Sequence, residues 1–481
     1  MPSAHVAQGS SEALTQLACF DLLSRDAESS ASLRINETQR HIFGCTSALM
    51  LIALAQWPGI LFLILIFSAS LVFLAVAALR LVSIPAGLKI HAQKKEADTS
   101  IAPIPDDMLP VYTIMVPMFH EARVLPRLIA SLEKIDYPKE KLEIFLLFEE
   151  EDHETIRVCE QLVLDDRYHQ IIIPPSYPQT KPKACNYALP LTSGDLLVVY
   201  DAEDDPPPDQ IRKAAALFLG SDEKLACLQA RLNFFNWHEN WLTRQFAIEY
   251  GVLYDLLLPA LVSADTPIPL GGTSTHFRTS ALRTIGAWDP YNVTEDADLG
   301  YRFAARGYGC GFFHSTTLEE ANCELPNWLR QRTRWLKGWM QTYLVRMRHP
   351  VTFCRTVGLR GFIVFQIMMG GLIISSLVHP LFYLILILDS DSTLTLNPGS
   401  GLNFYFTFVL LFGYAATIAA GMVAALMRGR VSLLLSCLTT PLCWLLISVA
   451  AYRAVLQLIT SPFHWEKTTH GLSRVSREDS A

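Results

Sequence analysis

The sequence predicts an α/β domain with a Rossmann-like, mostly parallel sheet, set between transmembrane and interfacial helices. Three observations predict it. Only 18% of the 481 residues are charged, against about 25% in soluble chains. The 51% that are hydrophobic gather in blocks. Between those blocks, short unbroken apolar runs alternate with helical segments, the pattern of strands buried on both faces.

The 39 basic and 46 acidic residues leave a net charge of −7, which excludes a generally basic chain, so no nucleic-acid partner is expected. The ten cysteines form no CxxC pair and no His/Cys zinc spacing, and they read as reduced and mostly buried.

Residues 1–41 are polar, carry both charge signs and lack a basic start followed by a small-residue cleavage site. A cytosolic tail is expected rather than a secretory signal. Ile42 to Ile84 is apolar apart from Arg80 and breaks at Pro58-Gly59. Its second limb exceeds the ~20 helical residues that cross a hydrocarbon core, and the Pro-Gly turn predicts a transmembrane hairpin over 42–84. One span with an interfacial lead-in is the alternative.

A polar linker, 85–109, containing Lys94-Lys95-Glu96, leads to the α/β domain, 110–320. There Tyr112–Val116, Glu143–Phe148 and Leu196–Tyr200 read as strands and Arg123–Lys134 as a helix. Next, 321–350 reads as an amphipathic interfacial helix whose Trp328, Trp335, Trp339 and Tyr343 sit at headgroup depth.

Within 351–460, Gly361–Leu388 and Leu402–Met427 are long enough to span. The loop between them carries Asp389 and Asp391 but no Lys or Arg, and Arg428 and Arg430 follow the second span. The positive-inside rule then makes the chain multi-pass with its α/β domain in the cytoplasm. Val431–Ile459 is broken at Thr439-Thr440-Pro441, and Ser448, Tyr452, Arg453, Gln457 and Thr460 share one face. That predicts an interfacial or re-entrant helix, with a full fifth span as the alternative. The tail, 461–481, holds Lys467, Arg474 and Arg477 and is expected in the cytoplasm.

Three motifs carry chemistry. In Tyr200-Asp201-Ala202-Glu203-Asp204-Asp205, followed by Pro206-Pro207-Pro208, a buried strand ends in carboxylates at the edge where open α/β sheets bind ligands. Asp201 and Glu203 are hard oxygen donors suited to Mg²⁺ or Mn²⁺ bridging a diphosphate; a solvated acidic loop is the plain alternative. Thr294-Glu295-Asp296 precedes a helix, where acids also serve as caps. Asn292-Val293-Thr294 matches a glycosylation sequon, a chance match on a cytosolic domain. Gln331-Arg332-Thr333-Arg334-Trp335 places Gln331, Arg334 and Trp335 on one side of a helix. Leu270-Gly271-Gly272-Thr273-Ser274 reads as a loop where backbone approaches a ligand closely, or as a tight turn. His464 and His470 read as surface residues.

In this order, and between membrane segments, these motifs resemble the cellulose-synthase-like family 2 glycosyltransferases of the bacterial β-glycan synthase group, over about Val111 to Thr468. The resemblance implies a membrane-embedded, inverting enzyme with a GT-A fold. It implies Asp296 as general base beside Glu295, and a metal on Asp201 and Glu203. Arg334, assisted by Gln331, would neutralise the leaving diphosphate. Donor contacts would come from Glu121, Glu149, Lys183, Asn186, Asp201 and Arg334. On the acceptor side, Trp335 would stack a sugar, with Gly272 and Thr273 nearby. Glu203 stands where Asp is more common, and Phe463–Thr468 resembles a gating loop whose lysine comes one residue early.

The expected function is processive elongation of a β-glycan, such as an exopolysaccharide, from a UDP-sugar, UDP-glucose first, at the bacterial inner membrane. The alternative is a non-processive glycolipid synthase acting on diacylglycerol or a similar lipid. A catalytically silent membrane subunit is the third reading, which the complete motif set disfavours. The chain shows no motif of a cyclic-dinucleotide-binding PilZ module, so control of that kind, like export, falls to accessory subunits.

Overall fold

The apolar runs become strands of one sheet because each is flanked by helices that cover both its faces. In the computed structural model, which describes residues 4–93, 104–390 and 401–475, these are β1 (Tyr112–Met118), β2 (Leu142–Glu149), β3 (Tyr168–Ile173), β4 (Leu196–Val199), β5 (Leu225–Phe234), β6 (Thr275–Arg278) and β7 (Gly309–Glu319). Lys94-Lys95-Glu96, Asp391 and Arg477, on which parts of the expected linker, loop and tail rest, lie outside the described residues. The strand order is β3-β2-β1-β4-β6-β5-β7. Only β6 runs antiparallel to its neighbours; the remaining pairs are parallel, so the mostly parallel sheet expected from the sequence is formed.

Register places the site. Met118 pairs with Phe148, and Met115 with Val199, so the segments leaving β1, β2 and β4 emerge at one edge. Glu121, Glu149 and Asp201 follow those carboxyl ends, the crevice position of open α/β sheets.

The first residues are not only a tail. Ala4–Arg25 is a helix that lies on the Lys181–Ala188 helix, with Ser11 Oγ 3.0 Å from Tyr187 Oη and Asn186 Nδ2 donating to Ala18 O at 3.3 Å. Helices Glu37–Gln56 and Pro58–Ala92 are joined through Trp57 alone. The second runs through Pro85, so the segment expected as linker starts helical, where Ile84 packs on Val252, Leu256 and Leu257.

Among the described residues five helices are long and apolar enough to cross a membrane: Pro58–Ala92, Trp241–Ser263, Pro350–Leu384, Phe404–Met427 and Thr440–Thr460. Trp241–Ser263 was not anticipated from the sequence. In its most apolar window 72% of residues are buried inside the protein, so its hydropathy reflects core packing. The Thr440–Thr460 helix lays Ala450, Ala451 and Ala454 on Leu336 and Met340. These small side chains let it approach closely and cover the Leu325–Arg346 helix, which is therefore sandwiched rather than surface-lying.

Candidate active site

A cavity of about 770 Å³ begins at the sheet's carboxyl edge and continues into the helices. Its floor is the segment after β4. The Asp201 backbone N–H donates to Asp204 Oδ2 at 2.8 Å and to Thr273 Oγ1 at 3.2 Å, and the Thr273 hydroxyl also donates to Asp204. Asp204, fully buried, thus pins the turn and leaves the Asp201 carboxylate facing the cavity. Lys181 Nζ bridges Asp201 Oδ1 and Gly272 O, both at 2.5 Å. Gly272 has φ +89°, and a Cβ there would stand 3.7 Å from Asp296 Oδ2, so the left-handed turn brings bare backbone beside that carboxylate.

Asp296 and Glu295 are buried at the start of the Glu295–Ala305 helix. Trp288 Nε1–H donates to Asp296 Oδ1 at 2.9 Å. The loop before them is held by the Leu325–Arg346 helix: Asn292 Nδ2 donates to Thr342 Oγ1 at 2.9 Å, and the Val293 N–H to Gln341 Oε1 at 3.1 Å. Gly338 permits this approach, because a Cβ there would lie 2.2 Å from Thr294 Oγ1. Asn292, with no exposure, is a packing residue, which disposes of the sequon. From the other side, Asp289 accepts from Ser30 Oγ at 3.0 Å and the Ala31 N–H at 2.6 Å, while Arg348 donates to Ser30 O at 3.0 Å. An N-terminal segment thereby clasps the loop.

The same helix supplies a cavity wall. Gln331 Oε1 accepts from Asn322 Nδ2 at 2.8 Å. The Arg334 guanidinium lies 4.4 Å from the Trp465 ring centre. Trp335 stacks on Tyr250 at 6.4 Å and 29°. Arg332, within the motif, is structural: both its terminal nitrogens donate to Glu249 at 2.6 Å. The C-terminal segment crosses the opening, where Lys467 pairs with Glu121 and His470 Nδ1 lies 3.0 Å from Glu203 Oε1.

The cavity thus brings together Glu121, Glu149, Asp201, Glu203, Gly272, Thr273, Glu295, Asp296, Gln331, Arg334 and Trp335. It does not include Lys183 or Asn186. Lys183 is buried with Nζ donating to Glu149 Oε2 at 2.8 Å, and Asn186 brackets the Trp288 backbone, donating to its carbonyl at 2.8 Å and accepting its N–H at 3.2 Å. Lys183 thus supports the cavity residue Glu149 from behind, and Asn186 supports Trp288, which in turn holds Asp296. The lysine that enters is Lys181, because two residues along a helix turn the side chain by about 200°. Sequence reasoning also missed Glu319 and His470, which line the cavity. The His470 side chain is 13% exposed, not a surface group.

Electrostatics set the chemistry. Burial, then Asp201 and Glu121, raises the Glu203 carboxyl well above the carboxylate range. Glu319 is raised likewise by burial, Asp204 and Glu203, and Glu295 is pushed up to about 8 by burial and Asp296. Burial raises Asp296 too, while Lys181 and the Trp288 hydrogen bond pull it back. Burial works to lower the Lys181 ammonium, but Asp201, Asp296 and Glu295 prevail and hold it above its ordinary value. Negative charge is in excess here, which fits a divalent cation. Among the described residues no three His, Cys, Asp or Glu side chains converge on one point as a metal site, so such an ion would take Asp201 and Glu203 and draw its other oxygens from diphosphate and water. A carboxylate such as Asp296, buried beside open backbone, can accept a proton from a hydroxyl.

Residues 110–338 match the family described as Glycosyltransferase like family 2, and they form a family 2 glycosyltransferase domain with the GT-A fold. The chain is 27% identical over 233 residues to the probable glycosyltransferase YdaM of Bacillus subtilis, covering 48% of this chain and 55% of that one. It is 27% identical over 240 residues to the beta-monoglucosyldiacylglycerol synthase of Trichormus variabilis, 49% and 50% respectively. To the protein of that name from Synechocystis sp. it is 25% identical over 278 residues, 56% of each. It thus spans about half the length of the curated relatives it matches. Among solved structures, mannosyltransferase PcManGT from Pyrobaculum calidifontis in complex with GDP-Man and Mn2+ is 18% identical, with a TM-score of 0.46, covering 81% of this chain and 99% of that one.

Proposed function

We propose that this family 2 domain moves a hexosyl group from a UDP-sugar to an acceptor hydroxyl with inversion, at the cytosolic face of a bacterial inner membrane. The observation that carries the reading is Asp296, a buried carboxylate fixed by Trp288 between the acid-rich crevice and Trp335. Asp296 takes the acceptor proton, the acceptor oxygen forms its bond to the anomeric carbon, and the bond from that carbon to the diphosphate breaks. Arg334, with Gln331 beside it, meets the charge that develops on the departing UDP. Asp201 and Glu203 would hold Mg²⁺ or Mn²⁺, which would supply further neutralisation of that diphosphate. Glu121 and Glu149 line the nucleotide side, with Lys183 and Asn186 positioning Glu149 and Trp288 rather than touching donor.

For the acceptor we favour a lipid. The relatives from Trichormus variabilis and Synechocystis sp. are named β-monoglucosyldiacylglycerol synthases, and the cavity passes Trp339 into helices able to cross a membrane, a route open to diacylglycerol or a similar lipid. Elongation of a β-glycan is the second reading, supported by the Gln331, Arg334 and Trp335 set and by Trp335 as a ring for an acceptor sugar. The test incubates purified protein with labelled UDP-glucose, UDP-N-acetylglucosamine or UDP-galactose, Mg²⁺ or Mn²⁺, and lipid. Label is expected in the organic phase; label in the alcohol-insoluble residue would instead establish a polymerase. No product with any donor would overturn the transferase reading.

A further inference from the structure

The cavity's membrane end holds a cation with no carboxylate partner among the described residues. Arg80, on the Pro58–Ala92 helix, donates to Thr417 Oγ1 at 2.9 Å, and its guanidinium lies 5.3 Å from the Trp444 ring centre. Among the described residues no Asp or Glu forms an ion pair with it. Glu249, whose charge does reach Arg80, is tied through both oxygens to Arg332. A guanidinium has five N–H donors, and an ionisable side chain inside a helix bundle marks a functional site whose partner has to be named.

Two further polar groups face the same space unsatisfied. His379 is 1% exposed; Nε2 lies 3.0 Å from Tyr414 Oη, while Nδ1 has no partner among the described residues. The buried Ser375 Oγ likewise has none. Both residues line the cavity with Arg80, Thr417 and Trp444.

We propose that this end of the cavity binds the phosphate of an anionic phospholipid, the acceptor or a lipid held beside it. The inference rests on the lipid reading above and deepens it, since it assigns the lipid a charge that diacylglycerol lacks. The planar guanidinium matches two phosphate oxygens at once, the Trp444 face supports it from below, and Nδ1–H of His379 and the Ser375 hydroxyl supply donors for the remaining oxygens. The source of the anion follows from the surroundings. Arg80, His379, Thr417 and Trp444 stand on four different helices able to cross a membrane. Beyond them Phe73 packs on Phe382 and Trp444, in an apolar cluster with Ile66, Phe406 and Val409. Acyl chains fit against such a wall, whereas an acidic glycan finds no polar path through it.

The test measures binding, not turnover. Native mass spectrometry in maltoside micelles compares dioctanoyl phosphatidylglycerol with dioctanoylglycerol, and UDP binding is titrated on the same samples. Phosphatidylglycerol is expected to bind at least about tenfold tighter, a difference of one charged hydrogen-bonded group. Arg80→Gln should abolish the preference and His379→Ala reduce it, both with UDP binding intact. Equal binding of the two lipids by the unaltered protein, which needs no variant to fold, would overturn the proposal, as would an unchanged preference in Arg80→Gln. Stronger, Arg80-dependent binding of an oligoglucuronate would overturn the lipid assignment. A phospholipid preference without any sugar transfer would support this site while overturning the proposed activity; transfer to lipid without the preference would do the reverse.

Discussion

Where the cavity meets the sheet, Asp201, Glu203, Glu319, Glu295 and Asp296 crowd around Lys181 and Arg334; where it enters the helices, Arg80 and His379 form no ion pair with a carboxylate among the described residues. One space therefore has a negative end and a positive end. The contrast teaches how two anionic reactants can share a cavity without exchanging places. A diphosphate would be repelled from the acidic end unless a divalent cation came with it, while the proposed lipid phosphate would be drawn to the end where Arg80 lies and the carboxylate in reach, Glu249, is already tied to Arg332. Asp296, the proposed base, lies at the acidic end, beside the Gly272 backbone.

The sharpest way to break this comparison is at the base. Asp296→Asn keeps an oxygen for Trp288 and should lower kcat by on the order of 10²–10⁴-fold with UDP affinity unchanged; single-turnover assays that find most of the rate retained would remove Asp296 from the chemistry. Next in size, Arg334→Ala should cost roughly 10²–10³-fold in kcat, and chelation of divalent ions should weaken UDP binding in the unaltered protein but not in an Asp201→Asn, Glu203→Gln double variant, a difference calorimetry can read.

A smaller effect concerns pH. As the proposed base, Asp296 would work ionised, and burial raises its pKa, so kcat/KM should rise with pH through a limb lying above the ordinary Asp value of about 3.9. Lys181 pulls that pKa down, so Lys181→Met should move the limb to higher pH; a limb that shifts downward would contradict the geometry. Smallest is a packing test. Gly338→Ala drives a methyl into Thr294 and should destabilise the protein by about 1–3 kcal/mol, visible as a lower Tm together with lost activity.

Much of the first half of this picture was legible in the chain. β1, β2 and β4 announced themselves because a strand buried on both faces has to be apolar throughout, and the carboxylates after β4 had only one edge to occupy. The rest depended on phase and on distance. Lys181 and Lys183 share one motif, and only the helix start decides which faces the cavity and which supports Glu149. Trp241–Ser263 looks like a membrane helix by hydropathy, yet its surroundings are protein. His470 and Glu203 are far apart in sequence, and nothing local marks their meeting. The Ala4–Arg25 helix escaped notice because its apolar residues are sparse, and its docking surface is built by the Lys181–Ala188 helix much later in the chain.

The clasp on Asp289 has a consequence for what can be inherited or moved as a unit. Ser30 and Ala31 fix the loop that precedes Asp296, Arg348 locks them there, Lys467 and His470 pair with Glu121 and Glu203, and Arg80 lines the far end. Ser30, Ala31, Arg80, Arg348, Lys467 and His470 all lie outside the stretch 110–338 that matches the family. A gene fragment encoding that stretch alone would yield a recognisable domain with an unfinished site. Swapping the ends of such a chain would disturb the clasp on Asp289 and the far end of the cavity together.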